Sequence, residues 1–255
     1  MASLRCDFFS EELALSTSMT VILPQATRGQ IGMAGRGSAA GAPVLYLLHG
    51  LSDDDTTWSR RTSIERYAAE KGLAVVMPRV ERSFYADEVH GGRYWTFLSR
   101  ELPAVVADLF RVSTAREDTF VAGLSMGGYG AFRWALREPW RFAAAASLSG
   151  VLDLAALADD DDELLRRVFG DAPVRSSDAD LLALIERANP AELPALYLAC
   201  GGDDELLAHN ETFLAAAERA GVRVDATLDA GAHEWGYWDR HIERVLDWLP
   251  LGGRR

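Results

Sequence analysis

The chain has 255 residues and a formal charge of −12 at pH 7, from 26 Lys plus Arg against 38 Asp plus Glu. Apolar residues make up 49% and charged residues 25%, which excludes a disordered chain and fits a globular one long enough to fold without disulfide or metal staples. The acidic balance argues against nucleic acid and against an anionic membrane surface, both of which are bound through Lys and Arg, and no apolar run approaches the roughly 18 residues of a membrane span.

Met19 to Leu23 reads as a short strand closed by Pro24, and the Gly- and Ala-rich stretch 26–42 as a surface loop. From Val44 onward, strands and helices alternate. Val44 to Leu48 is a continuous apolar run, as expected of a strand buried on both faces. Helical spacing follows over 63–71, then a buried strand over 73–77, a helix over 102–110, a strand over 120–124 and a helix over 126–137. Strands are expected again at 142–148, 195–200 and 222–228, with helices at 209–220 and 235–248. This alternation predicts an α/β fold, a mostly parallel sheet with helices on both faces, in one domain over 1–255. Only 151–193 breaks the rhythm, with helix-like runs and no strand. It is expected to form a small helical cap over the carboxyl ends of the strands, where open α/β sheets bind ligands.

Cys6 and Cys200 lie far apart and lack metal-ligand spacing, and the N-terminus becomes charged before a signal-like apolar stretch forms. Two reduced thiols and a cytoplasmic location are expected.

Gly123-Leu-Ser-Met-Gly127 matches G-x-S-x-G between a predicted strand and a predicted helix. That junction is where a nucleophile elbow must lie, so Ser125 is the expected nucleophile. A serine hydroxyl needs a base, and in this fold type the chain order is Ser, acid, His. The order removes His49 and His90, while His209 and His241 fall within predicted helices and read as surface or packing residues. His233, in the small-residue loop Ala230-Gly-Ala-His-Glu-Trp235, is the expected base. Asp203, Asp204 and Glu205 all follow the strand at 195–200, and position alone does not choose among them. The backbone N–H groups of Met126 and of Leu51, in the turn after the strand at 44–48, are the expected oxyanion donors.

Several stretches together resemble a known family. Tyr46-Leu-Leu-His-Gly50, Ser83-Phe-Tyr-Ala-Asp87, Ala122-Gly-Leu-Ser-Met-Gly-Gly-Tyr-Gly130, Leu148-Ser-Gly150, Cys200-Gly-Gly-Asp-Asp204 and Gly231-Ala-His-Glu-Trp235 are similar to the tributyrin esterase family of the α/β-hydrolases, which is related to S-formylglutathione hydrolases, feruloyl esterases and mycolyltransferases. The resemblance runs in order over about residues 4–249. It implies hydrolysis of short-chain carboxylic esters without a cofactor, and it points to Asp204 as the acid, with Asp203 second. The chain departs from formylglutathione hydrolases at Ser52-Asp-Asp-Asp55, which lacks their Cys after the Gly-Leu turn, and its loop at 26–42 is long for the family.

Five aromatics fall within residues 84–97, where an aromatic content of 9% would place one or two. Phe84, Tyr85, Tyr94 and Trp95, together with Trp235 beside His233, are therefore candidates for a substrate pocket, with ordinary packing as the competing reading. The run Asp159-Asp-Asp-Asp-Glu163 lacks calcium-loop spacing and reads as acids at a helix N-terminus, so no metal is expected. The expected partner is a small ester. Self-association is left open. Acyl transfer or thioester hydrolysis on the same site is the alternative, and a non-catalytic binding protein is the third.

Overall fold

In the computed structural model, which describes residues 1–29, 31, 35–37, 41–158 and 163–251, strand β1 (Ala2–Ser10) pairs antiparallel with β2 (Leu15–Leu23), from Ala2 opposite Leu23 to Ser10 opposite Leu15. Sequence reading finds β2 only in part and misses β1. β1 alternates apolar Ala2, Leu4, Cys6 and Phe8 with polar Ser3, Arg5 and Asp7, but as the rim of the sheet it exposes most of its residues, and Arg5 and Asp7 place charges on that edge.

The remaining strands are β3 (Val44–Leu48), β4 (Ala74–Pro78), β5 (Thr119–Leu124), β6 (Ala144–Leu148), β7 (Ala195–Gly201) and β8 (Val224–Asp229). They form one eight-stranded sheet in the order β1-β2-β4-β3-β5-β6-β7-β8. β2 meets β4 antiparallel, and every pair from β4 to β8 is parallel.

Alternate residues of the buried strands serve two cores. Val44, Tyr46, Leu48, Val121 and Ala145 face one side, where they join Phe132, Trp134 and Phe213. Leu45, Leu47, Phe120, Ala122 and Ala146 face the other, with Ile64, Trp58 and Ile242. The first side is covered by α4 (Leu102–Leu109), α5 (Met126–Arg137), α8 (Leu181–Arg187) and α9 (Leu207–Arg219), and the second by α1 (Thr57–Arg61), α2 (Ile64–Lys71) and α10 (Trp235–Trp248). Strands covered on both faces must be apolar throughout, which is why their positions are legible from the sequence.

α3 (Tyr94–Thr96) runs through a π-helical turn, Phe97–Glu101, directly into α4. The helix expected at 102–110 therefore starts earlier. Between β6 and β7 the described residues hold α6 (Leu154–Ala158), α7 (Glu163–Phe169) and α8, and no strand. Asp159 to Asp162, most of the acidic run, and part of the 26–42 loop lie outside the described residues.

Candidate active site

The apolar strand β5 ends at Leu124, and helix α5 begins at Met126. Ser125, between them, has φ 54° and ψ −119°, a conformation that non-glycine residues rarely adopt. The turn is tight enough to need glycine on both sides. A Cβ on Gly123 would lie 2.3 Å from the Gly127 carbonyl oxygen, and one on Gly127 would lie 2.4 Å from the Leu48 carbonyl oxygen. The strain lifts the serine above the sheet at the N-terminus of a 12-residue helix, whose free N–H groups favour negative charge there.

The turns after β7 and β8 are tied together, since the Asp203 N–H donates to the Gly231 carbonyl at 2.9 Å. This brings a buried Asp204 against His233. The imidazole Nδ1–H donates to the carboxylate, 3.0 Å from each oxygen. Such a bond fixes the tautomer and leaves the Nε2 lone pair free to take a proton. The Leu206 N–H also donates to Asp204 Oδ1 at 2.9 Å. Burial alone would push the Asp204 carboxyl up, but the hydrogen bonds from His233, the Ser149 hydroxyl and Leu206 hold it below the ordinary carboxylate range. Asp203 and Glu205 are exposed. Of the three acids that compete by position, only Asp204 is hydrogen-bonded to the imidazole.

The turn after β3 carries His49, Gly50 and Leu51. His49 is buried, and burial pushes its pKa down, keeping the ring neutral. Its Nδ1–H donates to the Gly50 carbonyl at 2.7 Å, and its Nε2 accepts the Val80 N–H at 3.1 Å. The Tyr85 hydroxyl donates to the His49 carbonyl at 2.8 Å. His49 thus braces the turn that presents Leu51.

Ser125, Met126, Leu51 and His233 all line one cavity of about 370 Å³. Its apolar wall is supplied by Phe84, Val151, Leu157, Leu164, Leu165 and Leu206, and its polar wall includes Glu205 and His209. Residues 151–165 therefore contribute four of the wall positions.

Residues 21–249 match the model of the family described as "Putative esterase". The chain belongs to this esterase family. An acetyl esterase of Caldicellulosiruptor saccharolyticus is 30% identical over 262 residues, covering 98% of each chain. Among solved structures, the fluorophosphonate-binding serine hydrolase F of Staphylococcus aureus superposes with TM-score 0.88 at 34% identity, covering 98% of each chain. The S-formylglutathione hydrolase FrmB of Staphylococcus aureus gives TM-score 0.85 at 34% identity, covering 98% of this chain and 99% of the other. The protein is accordingly a carboxylic ester hydrolase of the α/β-hydrolase fold.

Of the five aromatics expected around the esterase's pocket, only Phe84 reaches the cavity wall. Tyr85 is fully buried beneath the β3 turn, with its ring against Gly130. Tyr94 lines a separate surface cavity with Arg5, Asp7 and Leu13. Trp95 lies under the guanidinium groups of Arg133 and Arg137, at 4.9 and 4.4 Å. These last two belong to α3, a helix rather than the loop their composition suggested. Trp235 packs edge-on against Trp58 and Trp238.

Two further residues support the Asp204–His233 pair: Trp238, which sequence reading takes as packing, and Ser149, to which it gives no role. The Trp238 indole N–H donates to the Ser149 hydroxyl oxygen at 3.1 Å, and its ring packs edge-on against His233 with centroids 4.8 Å apart. Ser149, at φ 49° just past β6, passes that bond on to Asp204. Its place at the carboxyl end of a central strand was the available signal. His241, by contrast, is a packing residue, buried in α10 with Nε2 3.2 Å from Asp229.

Proposed function

We propose that this esterase hydrolyses small, uncharged, short-chain acyl esters through an acyl-enzyme on Ser125. The observation that carries the reading is that a strained serine and an imidazole hydrogen-bonded to a buried carboxylate line the same cavity. Ser125 Oγ attacks the ester carbonyl carbon while its proton passes to His233 Nε2. The carbonyl oxygen becomes an oxyanion and accepts the N–H groups of Leu51 and Met126. The bond to the alcohol oxygen breaks, and His233 returns its proton to the departing alcohol. Water then repeats the sequence on the acyl-enzyme, releasing the acid and restoring Ser125. Asp204 holds the imidazole tautomer and stabilises its transient positive charge. No step calls for a metal or cofactor.

In this reading residues 1–255 work as one domain, and 151–193 is a cap whose leucines close the acyl site. A volume of about 370 Å³ is near the lower end for small-molecule sites, and its apolar wall suits a short aliphatic acyl group. A reducing cytoplasmic setting agrees with Cys6 and Cys200 as free thiols. The test is a panel of p-nitrophenyl esters with acetyl, butyryl, octanoyl and feruloyl groups, run beside S-formylglutathione. Acetyl or butyryl should exceed octanoyl by about tenfold in kcat/KM, the discrimination expected of a small pocket. Octanoyl, feruloyl or S-formylglutathione as the best substrate would overturn the short-chain reading. Ester products made from added alcohols, in excess of free acid, would mark acyl transfer instead.

A further inference from the structure

Helix α7 carries Leu164 and Leu165 into the wall of the Ser125 cavity, which they share with Phe84. A helix of seven residues is marginal by itself, so contacts outside it must hold it in place. Those contacts run to the segment 82–92. The Val89 and His90 N–H groups donate to the carbonyls of Val168 and Arg167, at 2.9 and 3.1 Å. Arg167 Nη2 donates to the Arg82 carbonyl at 3.3 Å and pairs with Glu88 Oε1 at 2.9 Å. Glu88 Oε2 accepts the Gly92 N–H at 2.9 Å. Beyond the helix's last turn, the Phe169 ring tilts against Phe84 with centroids 6.3 Å apart.

We propose that the Glu88–Arg167 pair sets the upper limit on acyl-chain length by latching α7 against the segment 82–92. The inference rests on the esterase reading above and names what enforces its short-chain preference. Neither residue is among those that line the cavity, so both are positioning residues that act through Leu164 and Leu165. The two backbone bonds would form with any side chains. The ion pair is the part of the latch that this sequence specifies.

The exposure of the two partners decides how the latch fails. The Arg167 side chain is 45% exposed and the Glu88 side chain only 5%. A pair open to water on both sides would contribute little. A buried carboxylate is different, because losing its counter-charge leaves a desolvated anion. Without the guanidinium, Glu88 keeps the Gly92 N–H alone and regains water only when α7 and the segment 82–92 draw apart. That movement withdraws Leu164 and Leu165 from the cavity and makes room for a longer chain.

The experiment measures kcat/KM for p-nitrophenyl acetate, butyrate and octanoate in the wild type, Arg167→Met, Arg167→Lys and the double variant Glu88→Gln/Arg167→Met. Butyrate should exceed octanoate by about tenfold in the wild type. Arg167→Met should bring that ratio to about one, through a lower KM for octanoate, and change acetate turnover by less than about threefold. Arg167→Lys keeps a cation within reach of Glu88 and should hold the ratio near the wild-type value. The double variant leaves no buried charge, so it should stand closer to the wild type than Arg167→Met does, a non-additivity that general loosening does not produce. A ratio in Arg167→Met within about twofold of the wild type, or equal loss on all three esters, overturns the proposal. Should Arg167→Met not fold, Glu88→Asp, which draws the carboxylate back by one methylene, carries the same test in the same direction. Octanoate preferred by the wild type defeats the short-chain reading and the latch with it, whereas an unshifted ratio in Arg167→Met defeats the latch alone.

Discussion

Ser125→Ala should lower kcat/KM for p-nitrophenyl butyrate by about 10⁴-fold or more, leaving only the contribution of substrate binding and the oxyanion donors. The expectation follows from the division of labour in the site. Without Oγ there is no covalent intermediate, and His233 has no hydroxyl proton to accept. The substitution keeps the Cβ that the φ 54° conformation already accommodates, so it adds no backbone strain. The thermal midpoint should therefore stay within about 2 °C of the wild type. A matched loss of activity and stability would show that the serine matters to the elbow's architecture and not to the chemistry.

Asp204→Asn should cost about 10³- to 10⁴-fold in kcat, whereas Asp203→Asn should change it by no more than about twofold. An amide at 204 can present its NH₂ to His233, which favours the tautomer with its proton on Nε2 and removes the lone pair that must accept the serine proton. Asp203 holds no such position. Its side chain is exposed, and its bond to the β8 turn is made by its backbone N–H, which asparagine retains. The two variants make the same oxygen-to-nitrogen change at neighbouring positions, so assays of both at pH 7 decide between adjacent carboxylates. Comparable losses in the two, or a larger loss in Asp203→Asn, would move the orienting role.

What the sequence reveals of this molecule depends on how many neighbours constrain each residue. β3 and β5 are covered on both faces and pair with strands on both sides, so they read as unbroken apolar runs that end at the turns carrying Leu51 and Ser125. The helices at 126–137 and 235–248 match the structure end to end, the first buried along all of its length but Arg137 and the second along one stripe, and each begins at a turn that follows a strand. β1 is paired on one edge only and exposed on most of its length, and the one signal that could have found it is the alternation of Ala2, Leu4, Cys6 and Phe8 with Ser3, Arg5 and Asp7.

The site divides in the same way. In the proposed site, Ser125 and His233 occupy turns whose positions follow from strand order, so residue pattern alone points to both. The choice of Asp204 over Asp203 depends on which side of one turn each carboxylate faces. Residue pattern carries no such information, and only the family resemblance pointed to the second aspartate. Aromatic composition at 84–97 suggested a pocket wall because it could not reveal that Tyr94 and Trp95 sit on a helix running into α4. His209 reads from its place in a helix as a surface or packing residue, whereas the structure puts it on the first turn of α9, where it lines the cavity that contains Ser125.

The central claim is that one serine, Ser125, carries the acyl group. Treating the protein with an alkyl fluorophosphonate and mapping the adduct by peptide mass spectrometry tests it most directly. A single modification is expected, on Ser125, appearing in step with loss of esterase activity and absent from Ser125→Ala. Adduct on another residue, or full inactivation with Ser125 unmodified, would contradict it.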